Sequence, residues 1–429
     1  MVIVSYTRKG LALLKRKHLL FLTILCICAV LQGCNQAPGK AEEAMIEEAS
    51  SSAKKQQEVT GPPETVVSPI DEMIEQMTLE EKIGQLMIIG VEGKSFSPEM
   101  DNLIRNYHVG VIIIMGGNVS TSSEVLQLIN DVKTANVLNK LPLFMSVDEE
   151  GGRVSRLPPG FNKLPTNGQI GKRNDEMFSY QIGTYLSELL HGFGYNMNFA
   201  PVLDVNSNPN NPVIGNRAFG PDPSQVAMLG TSTMQGMMDN GIIPVVKHFP
   251  GHGDTVVDSH KALPKVEKSL EELRHIELVP FQEAINEGAD AIMVAHLLIP
   301  ALDPKYPSSM SKAVITGLLR EEMKFEGVVI TDDLTMGAIV NEYSVAEAAV
   351  QSFIAGSDLL LIVGGYENEV SAIEALKAAI ETELITEERL NESLKRILTL
   401  KEKYDVNDEV NKAVDVDQIN ASYLNLMTR

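Results

Sequence analysis

Eight short apolar runs, separated by longer stretches of helical periodicity, constrain this chain more than any other feature of its sequence. The runs lie at 87–91, 110–115, 143–147, 198–202, 243–246, 291–295, 327–330 and 359–363. They lack the in–out alternation of a half-solvated sheet, so each reads as a strand covered on both faces, as in parallel sheets. Helical patterns lie near 121–138, 174–192, 223–239, 269–287, 311–324, 344–355, 367–383 and 387–403. Parallel neighbours need a crossover connection, and a helix supplies one. Eight of each, alternating over roughly 340 residues, predict an α/β fold, a (β/α)8 TIM-barrel-like single domain. A doubly wound open sheet gives the same local pattern and is the alternative.

Polar residues favour the barrel. Asp148, Asp204, Lys247 with His248, His296, and Asp332 with Asp333 each fall just past the C-terminal end of a run. Charges there are poor core filler, because an unpaired buried charge costs several kcal/mol. A barrel gathers all of them at one mouth, where such folds place their chemistry.

The densest cluster is residues 247–260, KHFPGHGDTVVDSH, which holds three of the eight histidines: His248, His252 and His260. Pro250, Gly251 and Gly253 break any helix, so the segment reads as a loop following the run at 243–246. Asp258 and His260, two residues apart, can form a carboxylate–imidazole pair in which the acid orients and charges the ring.

These fourteen residues closely resemble the signature of bacterial family 3 glycoside hydrolases of the β-N-acetylglucosaminidase type: Lys-His-Phe/Ile-Pro-Gly-His/Leu-Gly, four spacers, Asp-Ser/Thr-His. The resemblance covers roughly 68–400 and implies a TIM-barrel catalytic domain, here 68–405, followed by a polar C-terminal tail, 406–429. It implies that Asp332, in GVVITDDLTMGA, is the nucleophile, that His260 is the acid/base, and that Asp258 holds His260. Asp333 fits a helix N-cap better. The resemblance further implies that Asp148 and Arg156, in VDEEGGRVSRL, bind substrate together with Arg217 (in NPVIGNRAFG), Lys247 and His248. Glu149, Glu150 and Arg153 receive no role, while Asp204 and His296 are expected to support the loops. The implied activity is exo-acting, retaining removal of β-linked N-acetylglucosamine, with peptidoglycan fragments such as GlcNAc–MurNAc peptides as substrate and no metal or organic cofactor.

The N-terminus carries a separate signal. Arg8, Lys9 and Lys15–Lys17 precede an apolar stretch, 19–31, too short for a comfortable membrane span. It ends Leu31-Gln32-Gly33-Cys34, which resembles a bacterial lipoprotein signal (1–33) with Cys34 as the lipidated residue. An ordinary signal peptide or an uncleaved anchor is the alternative. Residues 34–67 are rich in Ala, Glu, Ser, Lys and Gln and read as a disordered tether. The expected location is extracytoplasmic, lipid-anchored to the cell membrane. All three cysteines lie before residue 35, so the folded body has no disulfide or thiolate metal site.

The formal charge is −21, and −26 without the five basic residues of 1–33, which disfavours nucleic acid as a partner. Trp is absent, so Tyr or Phe would have to stack any sugar. Three further readings stand beside the resemblance. A metal-dependent hydrolase would use the histidines and aspartates as ligands, against which Lys247 counts. A non-catalytic sugar-binding lipoprotein would lack a nucleophile. A phosphorylase of the same family would transfer the sugar to phosphate.

Overall fold

The computed structural model describes residues 68–428. The signal, Cys34 and the tether expected before Ser68 lie outside the described residues.

Eight strands form one parallel sheet: β1 (Met87–Gly90), β2 (Val111–Ile114), β3 (Phe144–Val147), β4 (Met197–Asn198), β5 (Ile243–Phe249), β6 (Ala291–Val294), β7 (Val328–Thr331) and β8 (Leu360–Ile362). Their order is β7-β6-β5-β4-β3-β2-β1-β8. A parallel bridge between Ile330 and Leu359, with Thr331 donating to the Leu359 carbonyl, joins β7 to β8. The result is the TIM-barrel-like α/β fold that the alternation predicts, and the open sheet is set aside.

Strand period explains the layering. Ile113, Met293 and Leu361 line a central cavity, while Ile292 and Val294 pack outward with Phe281 and Leu319. Helices Ser122–Asn136, Glu176–Phe193, Pro223–Met238, Val345–Ala355 and Tyr366–Glu381 lie close to their expected positions. Thr78 and Glu81 form the reciprocal cap that opens helix Leu79–Gly84, just before β1.

Several elements differ from the expected pattern, among them β4, which spans only Met197–Asn198 where the apolar run covers 198–202. The crossover from β1 to β2 carries helix Pro98–Arg105, absent from the expected elements; its buried Met100, Leu103 and Ile104 follow helical spacing, but over only eight residues. The 269–287 pattern divides into Leu270–His275 and Val279–Asn286, as Pro280 can only sit in a first turn. Helix Glu387–Lys403 is not a crossover but lies at the barrel's N-terminal end. There its Lys401 donates to Gln85 and to the Pro142 carbonyl. Finally, the stretch after Asp405 contains helix Val416–Met427, which buries Ile419 and Leu426 and sets Tyr423 edge-on against Tyr185.

Candidate active site

β5 is the longest strand, and it contains residues that the sequence reading assigned to a loop. Val246 pairs with Ile292 and Phe249 with Val294, so β5 spends one extra residue between these points. Such a bulge re-aims side chains. Here it lets Lys247 and His248 both line the cavity, while Phe249 packs edge-on against Phe281 in the outer layer. Pro250 and Gly251 then end the strand.

A cavity of about 230 Å³ opens at the C-terminal end of the barrel. Its walls include Asp148, Arg156, Arg217, Lys247, His248, His260 and Asp332, seven of the expected site residues. Asp258 stands behind His260 and accepts from its Nδ1 at 2.9 Å and from its backbone N–H at 3.0 Å. That bond leaves Nε2 as the ring nitrogen free to exchange protons. The His260 side chain is 67% exposed, so the pair stands at the rim.

Deeper in, charge is tightly matched. Lys247 Nζ lies 2.5 Å from Asp148 and 2.8 Å from Glu150. Glu150 also takes a bidentate bond from Arg217, at 2.7 and 2.8 Å. Burial pushes the Glu150 carboxyl up, but Lys247 and Arg217 together outweigh it and hold the group well below its usual range. Sequence reasoning left Glu150 without a role. Two buried cations, Lys247 and Arg217, required a buried counter-charge beyond Asp148, and that requirement was the available signal.

The supporting residues sit as expected. Asp204, fully buried, accepts from His248 Nδ1 at 2.7 Å and from the His252 backbone N–H at 2.6 Å. His296 bridges the Ser309 hydroxyl (2.7 Å) and the Asp333 carbonyl (2.9 Å), fixing the turn after β7. Arg153 donates to the carbonyls of Val213 and Ile214, tying its loop to the one carrying Arg217.

Asp332 directly follows β7, and its Oδ1 accepts the Asp333 backbone N–H at 2.8 Å. Burial raises its carboxyl, but His296, His248 and Lys247 more than offset this, so the group is held ionised. Asp333 accepts from the Thr335 N–H and hydroxyl and from the Val363 N–H, capping the turn rather than a helix.

The His-rich loop is knitted to the β4 loop. Asn211 donates to the His252 carbonyl at 2.8 Å, and a Cβ on Gly253 would collide with the Val205 carbonyl. The His252 ring bridges Thr255 (2.8 Å) and Ser259 (3.2 Å), and burial pushes it down to about 4, so it stays neutral. Among the described residues no three His, Asp or Glu side chains group as metal ligands.

This arrangement has relatives. Residues 78–400 match the glycosyl hydrolase family 3 N-terminal domain. Over 330 residues the chain is 35% identical to β-hexosaminidase A of Pseudoalteromonas piscicida, covering 71% of this chain and 55% of that protein. It is 33% identical to a β-hexosaminidase of Idiomarina loihiensis, covering 73% of this chain and 93% of the relative. Among solved structures, a family 3 β-N-acetylglucosaminidase from Paenibacillus sp. str. FPU-7 superposes with a TM-score of 0.77 at 41% identity. That match covers 82% of this chain and 68% of the other. With the barrel, the cavity and these matches in agreement, the chain belongs to glycosyl hydrolase family 3 and is a glycosidase.

Proposed function

We propose that the chain is an exo-acting, retaining β-N-acetylglucosaminidase that removes terminal non-reducing N-acetylglucosamine, with peptidoglycan fragments as its substrate class. The observation that carries this reading is the Asp332 carboxyl, held below its usual range by its neighbours, in a cavity of about 230 Å³ with an imidazole–carboxylate pair at the rim. The names of the β-hexosaminidase relatives support the sugar specificity.

In the proposed mechanism Asp332 attacks the anomeric carbon as the glycosidic C–O bond breaks, and His260 Nε2 protonates the departing oxygen. Asp258 stabilises the ring in its charged form. His260 then accepts a proton from water as that water displaces Asp332, so two inversions give net retention. Lys247, Asp148, Arg156, Arg217 and His248 bind the sugar hydroxyls, with Glu150 holding the cations in place.

A panel of aryl β-glycosides at matched concentration tests the specificity. The N-acetylglucosaminide should turn over far faster than the glucoside, with or without phosphate. Equal rates would remove the specificity, and dependence on phosphate would make the chain a phosphorylase. The proposed location, outside the cell membrane and tethered through a lipid on Cys34, is supported by the Leu-Gln-Gly-Cys run. Cys34→Ser should move the protein out of the membrane fraction or block its processing; unchanged partition would end that proposal.

A further inference from the structure

Glu149 is 1% exposed, and the mechanism above gives it no task. Its surroundings suggest one. Its backbone N–H donates to the Asn198 side-chain oxygen, and its carbonyl accepts from the Asn198 amide, both at 3.0 Å. Asn198 belongs to β4, so the loop is pinned to the barrel at this point. From there the Glu149 side chain crosses the loop, and its Oε2 accepts the Arg156 backbone N–H at 2.7 Å. One carboxylate thus closes the segment that begins with Asp148 and ends with Arg156.

The other half of the group is unspent. Glu149 Oε1 is buried without a hydrogen-bond partner among the described residues, and so are Arg156 Nε and the Tyr185 and Tyr195 hydroxyls. The groups that face Glu149 are Arg156 and Ser155 on its own loop, Tyr195 ahead of β4, and Tyr185 on helix Glu176–Phe193. Behind Tyr185 stand Glu188 and Tyr423.

We propose that Glu149 is a positioning residue that sets Arg156 for sugar binding and makes substrate affinity depend on pH through its own carboxyl. The proposal rests on Arg156 contacting the sugar. Burial pushes the Glu149 carboxyl up to about 7, against the lowering effect of the Arg156 N–H, Ser155 and the Arg156 guanidinium. Below that pH the group is neutral. Above it, the carboxylate makes a stronger, charge-assisted bond to the Arg156 N–H. Affinity should therefore improve as pH rises through about 7, independently of the groups that govern kcat.

The test measures KM and kcat on an aryl N-acetylglucosaminide, and calorimetric binding of free N-acetylglucosamine, from pH 5.5 to 8.5. Glu149→Gln keeps an acceptor oxygen but cannot ionise, so its KM and Kd should lose the wild-type change near pH 7. Glu149→Ala loses the acceptor, so KM should rise by roughly tenfold at every pH while kcat stays within about twofold. A Glu149→Gln variant that retains the wild-type pH dependence of affinity would overturn the proposal. So would a Glu149→Ala variant with a changed kcat and an unchanged KM. Arg156→Ala with unaltered affinity would remove its premise. The calorimetric arm reads affinity without turnover, so a wild type that binds the sugar with this pH dependence but does not hydrolyse it would defeat the proposed function alone.

Discussion

Asp332 and Asp333 are neighbours in sequence and opposites in chemistry. The first faces His296, His248 and Lys247 and is held ionised; burial and the charge of Asp332 raise the second. Both line the cavity just past β7, and their neighbours make the difference: Asp332 sits among cationic groups, whereas Asp333 meets only neutral donors and the charge of Asp332. Glu369 extends the principle. Burial first, then Glu92 and Asp333, push its carboxyl up to about 8, with only the Gly90 N–H opposing. Its folded value lies above the unfolded one, so the folded state keeps a proton that the unfolded chain sheds. Stability from this group is full at acid pH and is lost as pH rises from about 4.5 to about 8. Glu369→Gln should therefore stabilise the protein at pH 8 by on the order of a few kcal/mol and change little at pH 4.5. Urea unfolding at the two pH values checks this, and an equal effect at both would show that the carboxyl does not titrate as described.

At the scale of elements, the loop after β5 decides the outcome. A proton donor matters most when the leaving group is poor. His260→Ala should lose orders of magnitude on a natural disaccharide and much less on an aryl glycoside with an acidic phenol, where added azide should restore turnover. Steady-state rates on the two substrates, with and without azide, check it; equal losses without rescue would make His260 structural. Asp258→Ala should show the same pattern more weakly, because the ring survives unoriented. The residues of this loop were legible in the sequence because chemistry-bearing types cluster there without core periodicity. What was not legible is how β5 reaches the loop. The bulge at 246–249 depends on pairing with β6, a non-local fact, so Lys247 and His248 read as loop residues. Glu150 was hidden for a similar reason, as its meaning lies in Lys247 and Arg217, far along the chain. Helix Val416–Met427 was hidden by the polar stretch 405–415 that precedes it, and its buried face becomes intelligible through its packing on helix Glu176–Phe193.

At the scale of the whole molecule, the two ends of the barrel divide the work. At the N-terminal end, Asp358 gathers Arg320 (2.5 Å), Arg396 (3.2 Å) and Ser393 (2.6 Å), joining β8 to helix Glu387–Lys403. At the other end, side chains from strands distant in sequence meet around one cavity, as the fold requires. In the proposed mechanism this convergence makes Asp332 a nucleophile that bonds covalently to the sugar. The direct measurement is rapid mixing of His260→Ala with an activated aryl N-acetylglucosaminide, acid quench, and mass analysis of the peptides. Deglycosylation is slow in that variant, so the intermediate should accumulate as one N-acetylglucosaminyl group on Asp332. Turnover with no adduct, or an adduct on Asp333, Asp148 or any other residue, would contradict it.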